Sequence, residues 1–257
     1  MKRACATTEE QRFESRAQRL LIDEVLLGPG GSREIPLLLR NPYLEYEANA
    51  RTLCTAGRKI LELGAGTGLH SIALASNGAD LTCIDIAKSA LECLNRRLTA
   101  VGLRATSVVG TMERLPFEPG SFDVIACAGS LSYGDPSVVD REILRVLKKG
   151  GSLLFVDSLN HNPIYRLNRW AHWRIRGDRT RSTLRRMPTL ARMQQLGKRF
   201  ESWSLRGFGA WSWLWSPIAG FVGESTAARC NDACDRLPAS RWLAFKFVFE
   251  AHGLREQ

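Results

Sequence analysis

Residues 60–75 read ILELGAGTGLHSIALA, and this stretch decides the fold. A short apolar run ends at Glu62, a turn follows with glycines at 64, 66 and 68, and the chain then enters a helical pattern. Glycines there let the backbone turn tightly and approach a ligand, while the helix start offers free N–H groups. The spacing is GxGxG. The dinucleotide fingerprint GxGxxG fails, because its last glycine would fall on Leu69. An acid directly before the turn repels a pyrophosphate and suits a ligand with a positive centre.

On either side of this turn the texture differs. Residues 1–56 read as helical and irregular, with one helix over QRFESRAQRLLIDEVLL and a second beginning after Pro42. From Arg58 short apolar runs alternate with helical segments. RKILELG, ADLTCID, RATSVVG, FDVIACAG and SLLFVDS read as strands. TGLHSIALASNG, AKSALECLNRRLTAVG and PSVVDREILRVLKKGG read as helices closed by glycine. That alternation predicts a parallel sheet with right-handed crossovers. After residue 200 two further runs, ESWSLRGFGAWSWL and WLAFKFVFEA, read as strands, and the second is apolar enough to be buried on both faces. The second strand ends in Asp85, placed to take the two hydroxyls of a ribose.

The turn, Asp85, the loop VVGTMERLPF and the strand SFDVIACAG occur in order between about Lys59 and Asp157. Together they resemble the class I S-adenosylmethionine (SAM) methyltransferases, in particular the broad type 11/25-like family whose third loop reads like GDAERLPFPDGSFDVV. The resemblance implies a Rossmann-like α/β fold with a seven-stranded sheet in the order 3-2-1-4-5-7-6, the last strand antiparallel and helices on both faces. It implies SAM as cofactor, S-adenosylhomocysteine (SAH) as product, and no metal. By position, Glu62 would sit near the amino acid end of SAM, and Gly64, Ala65, Gly66 and Gly68 would wrap it. Asp85 would hold the ribose, Ile86 would pack on adenine, Met112 would contact the ring and Ala128 would lie against the methionine part. The family usually carries an aspartate where this chain has Thr111. A threonine hydroxyl still accepts a hydrogen bond, so weaker adenine recognition is expected there.

Methyl transfer from a sulfonium needs an aligned acceptor and, for a hydroxyl, a base. The segments after the fourth and fifth strands read AGSLSYGDP and DSLNHNPIYRLNRW. They nominate His161 as base and Tyr133 as base or orienting hydroxyl, with Asp157 orienting a neighbour. His70 reads as structural, and Tyr43, Tyr46 and Glu47 as residues of the N-terminal cap. The organisation expected is a helical cap over residues 1–56, a SAM-binding core over residues 57–257, and a basic Arg- and Trp-rich acceptor lid inserted at about residues 160–200.

The formal net charge of +10 is concentrated in that lid: from Arg166 to Arg206 twelve basic residues face two acids, Asp178 and Glu201. Elsewhere 24 basic residues balance 24 acidic ones. A nucleic-acid track is one use of such a segment, but no separate RNA-binding module and no catalytic signature of nucleic-acid methyltransferases accompanies it. Arginine forks also pair with phosphate oxygens. The expected acceptor is therefore a small molecule, suited to an anionic or phosphate-bearing group, with O-methylation of a sugar, glycan intermediate or secondary metabolite as the leading reading. N- or C-methylation, nucleic-acid methylation and SAM binding without catalysis are the alternatives. All seven tryptophans lie between Trp170 and Trp242, and Trp211, Trp213 and Trp215 would share one face of a strand. Seven cysteines without a CxxC pair read as reduced thiols of a cytoplasmic protein, and no zinc pattern is present. No apolar run nears the roughly 20 residues of a membrane helix, and the N-terminus predicts no cleaved leader. A homodimer is an allowed assembly.

Overall fold

Strand β1 (Lys59–Leu63) lies inside the sheet, paired in parallel with β2 (Asp80–Asp85) on one side and β4 (Phe122–Ala128) on the other. In the computed structural model, residues 2–22, 30–176, 181–237 and 240–255 are described. Helix α1 (Lys2–Ile22) and α2 (Leu37–Leu53) precede the sheet. After β1 come α3 (Ser71–Ala75), β2, α4 (Lys88–Ala100), β3 (Thr106–Val109), β4, α5 (Pro136–Val146) and β5 (Leu147–Ser158). Then follow α6 (Pro163–Arg176), α7 (Arg181–Arg186), α8 (Leu190–Gly197), β6 (Phe200–Phe208), α9 (Ser212–Val222), α10 (Glu224–Asp235), α11 (Ser240–Leu243) and β7 (Lys246–Leu254). The seven strands run in the order β3-β2-β1-β4-β5-β7-β6, with β7 antiparallel to both β5 and β6. This is the sheet that the methyltransferase resemblance implies.

The central strands are apolar on both faces because helices cover both. Leu61, Leu63, Ile125, Cys127, Leu153, Phe155, Phe247 and Phe249 point into one core, together with α5 and α8. Their alternating neighbours Ile60, Val124, Ala126, Leu154, Val156 and Val248 point into a second core built with α2, α3 and α4. Two buried layers hold β1, β4 and β5 rigidly, so the loops at their C-terminal ends form a stable platform.

Several element readings change. The helix after the glycine turn is only Ser71–Ala75. Helix α2 begins at Leu37, not after Pro42, and carries Pro42 inside it. Helix α5 stops at Val146, and LKKGG becomes the irregular start of β5, where the register against β4 shifts between Phe122 and Val124. The tryptophan run is not a strand. Strand β6 ends at Phe208, and Trp213 and Trp215 lie in α9. At helical pitch Trp211 and Trp215 fall on one side and Trp213 turns away, so the three do not share a face. Of the basic segment, residues 177–180 lie outside the described residues. No helix among the described residues is long and apolar enough to cross a membrane.

Candidate functional site

A cavity of about 840 Å³ opens at the C-terminal ends of β1, β2 and β4. That is where open parallel sheets bind their ligands, at the switch between strands running left and right of β1. Its floor is the turn after β1. Gly64 N–H and Ala65 N–H both donate to the Ile84 carbonyl, at 2.8 and 3.2 Å, which bends the chain sharply off the strand.

The three glycines serve different ends. All have positive φ. A Cβ on Gly64 would lie 2.5 Å from the Ser130 side chain, and one on Gly68 would lie 2.9 Å from Leu94 of α4. Those two glycines let strand and helix pack against the turn. A Cβ on Gly66 would meet nothing within 4 Å. Gly66 faces the open cavity, so its bare backbone is available to a ligand.

Two acids flank the turn. Glu62 is 2% exposed, and its Oε2 accepts from Ser71 Oγ at 2.5 Å and from Cys83 Sγ at 3.4 Å. Burial dominates and, with Asp85 close by, pushes its carboxyl up to about 7 against those two hydrogen bonds. A carboxyl held at that threshold is readily ionised by an incoming cation. Asp85 accepts from Gly66 N–H at 2.8 Å and Ala87 N–H at 2.9 Å. Burial raises its carboxyl despite these bonds. The pairing explains how the second strand's acid also fixes the glycine turn.

Ile84, Ile86, Met112, Ala128 and Gly129 complete the apolar walls. Thr111 lines the cavity, and its Oγ1 accepts from Glu113 N–H at 3.2 Å. Glu113 is occupied in turn, its Oε1 accepting from Asp135 N–H at 2.6 Å. Over the top come α1 and α7: Thr183 Oγ1 donates to Glu9 Oε1 at 3.1 Å, and Phe13 stands edge-on to Tyr133 at 5.1 Å. Arg186 donates to the Tyr133 carbonyl at 3.4 Å. Tyr133 thus lines the cavity from beneath this cover.

His161 is placed elsewhere. It is not among the residues lining the cavity; its Nε2 lies 2.5 Å from the Trp242 carbonyl, and its Nδ1 is buried without a partner among the described residues. The junction with α11 claims its ring, which sequence position after β5 could not foretell. Asp157 does orient a neighbour, accepting Leu131 N–H at 3.0 Å. His70, read from sequence as structural, lines the cavity together with Tyr43, and Glu47 lies within 3.0 Å of its Nδ1.

Several arginines of the basic segment are committed to the protein itself. Arg192 pairs with Asp140 at 2.7 Å and Arg206 with Glu45. Arg169 donates to the Leu159 carbonyl at 2.8 Å and stacks over Phe245 at 5.1 Å. A second cavity, about 1230 Å³, lies between α2, α6 and α9 and is lined by Leu38, Ile164, Tyr165, Trp213, Pro217 and Arg169 among others. Leu39, Ser158 and Phe245 line both cavities, which therefore adjoin there.

The residues present fit SAM. The first cavity is in the range of small-molecule sites, Gly66 leaves an open backbone cradle, Glu62 offers a carboxyl suited to a positive centre, and Asp85 ends the neighbouring strand. Among the described residues no group of three or more His, Cys, Asp or Glu is arranged to hold a metal.

Comparisons with known proteins agree with this geometry. Residues 61–155 match the family model described as methyltransferase domain. The ubiquinone biosynthesis O-methyltransferase of Xanthomonas euvesicatoria pv. vesicatoria (strain 85-10) is 36% identical over 131 residues, covering 50% of this chain and 54% of the relative. The enzyme of the same name from Pseudomonas aeruginosa (strain UCBPP-PA14) is 36% identical over 110 residues, 42% of this chain and 47% of the relative. The chain thus spans about half the length of the curated relatives it matches. Among solved structures, YcgJ of Bacillus subtilis aligns with a TM-score of 0.55 at 19% identity, over 83% of this chain and 99% of that one. Geranyl diphosphate C-methyltransferase of Streptomyces coelicolor A3(2) aligns at 0.57 with 17% identity, over 84% and 81%. At these identities the structural likenesses establish the fold. Sheet order, glycine turn and the match over residues 61–155 together show that the chain carries a methyltransferase domain of the class I SAM-dependent kind.

Proposed function

We propose that this chain transfers a methyl group from SAM to a hydroxyl of a small, largely apolar acceptor. The observation that carries this reading is that two cavities adjoin at Leu39, Ser158 and Phe245: one holds the glycine turn and Asp85, the other is walled mainly by aliphatic and aromatic side chains. An acceptor lodged between α2, α6 and α9 reaches the first cavity through that junction. The O-methyltransferase names of the curated relatives favour oxygen as the methylated atom.

SAM supplies an electrophilic methyl on a sulfonium. The chain's own residues then bind, align and exclude water. In this reading Gly64, Ala65, Gly66 and Gly68 cradle the amino acid part, and Glu62 faces its positive charge. Asp85 takes the ribose, Ile86, Thr111 and Met112 border the adenine, and Ala128 lies against the methionine chain. Tyr133, under the α1–α7 cover, orients the acceptor. An anionic group on the acceptor would meet Arg169 in the second cavity or Arg186 in the first. Arg169, Arg192 and Arg206 have intramolecular partners, which speaks against a nucleic-acid track. The apolar lining of the second cavity suits a hydrophobic ring or chain better than a free sugar.

The test is methyl transfer from labelled SAM to separate panels of catechols, amines and sugars. Labelled methyl ethers from the catechols are expected. Labelling confined to amines would overturn the hydroxyl assignment.

A further inference from the structure

We propose that His70, held by Glu47, is the base that takes the acceptor's proton. This inference rests on the hydroxyl-methylation reading above. His70 sits at the start of α3, directly after the glycine turn, and is 5% exposed. Its imidazole is fixed on three sides. Tyr43 of α2 stacks on it at 4.8 Å with an interplanar angle of 4°, and Tyr46 stands edge-on at 5.8 Å. Glu47 Oε1 lies 3.0 Å from Nδ1. A ring locked this firmly presents a single nitrogen to the cavity.

Which nitrogen carries the proton follows from Glu47. That carboxylate is 5% exposed and accepts Ser32 N–H at 2.6 Å and Ser32 Oγ at 3.0 Å in addition to His70. Gly31, with φ +77°, wraps it closely, since a Cβ there would lie 3.0 Å from Glu47 Oε1. Burial alone would raise the Glu47 carboxyl, but the hydrogen bonds from His70 and Ser32 outweigh it and hold it below the ordinary range. An ionised carboxylate only accepts, so Nδ1 must be the protonated nitrogen. In the neutral ring Nε2 then keeps its lone pair, and it makes no hydrogen bond among the described residues. A carboxylate that fixes the tautomer of a histidine facing a reactant is the arrangement general bases share.

The other ionisable groups nearest the ring fit the task. Lys246 Nζ donates to Tyr43 Oη at 2.8 Å and lies 3.4 Å from Ser158 Oγ, at the junction of the two cavities. Its charge favours an oxygen that is losing a proton there. Glu62 and Asp85 line the same cavity on the cofactor side. In the step itself, the acceptor oxygen forms a bond to the methyl carbon and the carbon–sulfur bond breaks with its pair left on sulfur. The hydroxyl proton passes to Nε2, and the resulting imidazolium, stabilised by Glu47, returns it to solvent. Glu47 is a positioning residue.

Two measurements test this. The first needs no turnover: nitrogen NMR of the histidine-labelled protein without ligand. A neutral His70 protonated at Nδ1 is expected, with mixed tautomers in Glu47→Gln. Protonation at Nε2 would overturn the proposal. The second uses 4-nitrocatechol and labelled SAM across pH. His70→Asn should lower the rate by on the order of 10²-fold across the pH range, while SAH affinity stays within about twofold. His161→Asn should change neither. An unaltered rate and pH profile in His70→Asn would refute the role. A wild type that methylates none of the hydroxyl probes would refute the hydroxyl reading instead, and the tautomer would still decide the assignment of His70.

Discussion

Replacing Glu62 by glutamine removes one ionisable group at the base of the cavity. Burial pushes that carboxyl from 4.5 up to about 7. A group whose pKa is raised on folding adds stability that is complete below its unfolded pKa and is lost as pH rises through the folded one. For Glu62 the window is therefore roughly pH 4.5 to 7. The shift of about 2.5 pH units corresponds to on the order of 3 kcal/mol lost from the ligand-free protein by pH 8. Glutamine keeps the acceptor for Ser71 Oγ but turns an amide N–H₂ toward Cys83 or the cavity, which costs about 1 kcal/mol. The ligand-free variant should thus melt about 4–8 °C above the wild type at pH 8, and no higher than it at pH 5. Saturating SAM, which brings a positive centre to the carboxylate, should stabilise the wild type more than the variant and reverse the order. Scanning calorimetry at the two pH values, with and without SAM, measures all four states. Parallel melting shifts in wild type and variant between pH 5 and 8 would refute the placing of a strained acid under the cofactor.

The glycine turn gives a matched pair of substitutions. Gly64→Ala forces a Cβ to within 2.5 Å of Ser130 at positive φ and should destabilise the fold by on the order of 3 kcal/mol, read by denaturant titration. Gly66→Ala meets open space, so it should cost about 1 kcal/mol of stability yet weaken SAH binding by tenfold or more on calorimetric titration. Thr111→Asp restores the acceptor usual in the family, and a new charge-assisted hydrogen bond to the adenine should tighten SAH about tenfold. Unchanged affinity in that variant would place the adenine elsewhere.

The sheet was legible because its signals are local. Each central strand is a short apolar run bounded by turn residues, and its burial on both faces follows from the alternation of Leu61 and Leu63 into one core and Ile60 into the other. The glycine turn and Asp85 were legible for the same reason, since spacing alone brings them to adjacent strand ends. Trp211, Trp213 and Trp215 misled, because alternate tryptophans imitate the period of a strand while SWLWSPIAGFV is apolar on all sides and folds as α9. The setting of His70 was not legible because it is assembled by tertiary packing. Glu47 and His70 are 23 residues apart and meet only when α2 docks beside the turn. His161 sat at a plausible position after β5, yet the Trp242 carbonyl, 81 residues on, takes its ring. A signal for His70 did exist: it is the one histidine inside the segment that carries the glycine turn. The second cavity had no such signal, since α6, α2 and α9 contribute to it from distant parts of the chain.

Calorimetric titration of SAM and SAH into the wild type and Asp85→Ala tests the central claim most directly. Asp85 ends β2 beside the cavity and holds Gly66 N–H, so its loss loosens the glycine turn and, in the proposed binding mode, removes the ribose partner. The account predicts saturable binding of both ligands to the wild type and at least about tenfold weaker binding to the variant. Absence of binding to the wild type, or equal affinity in the two proteins, would contradict it.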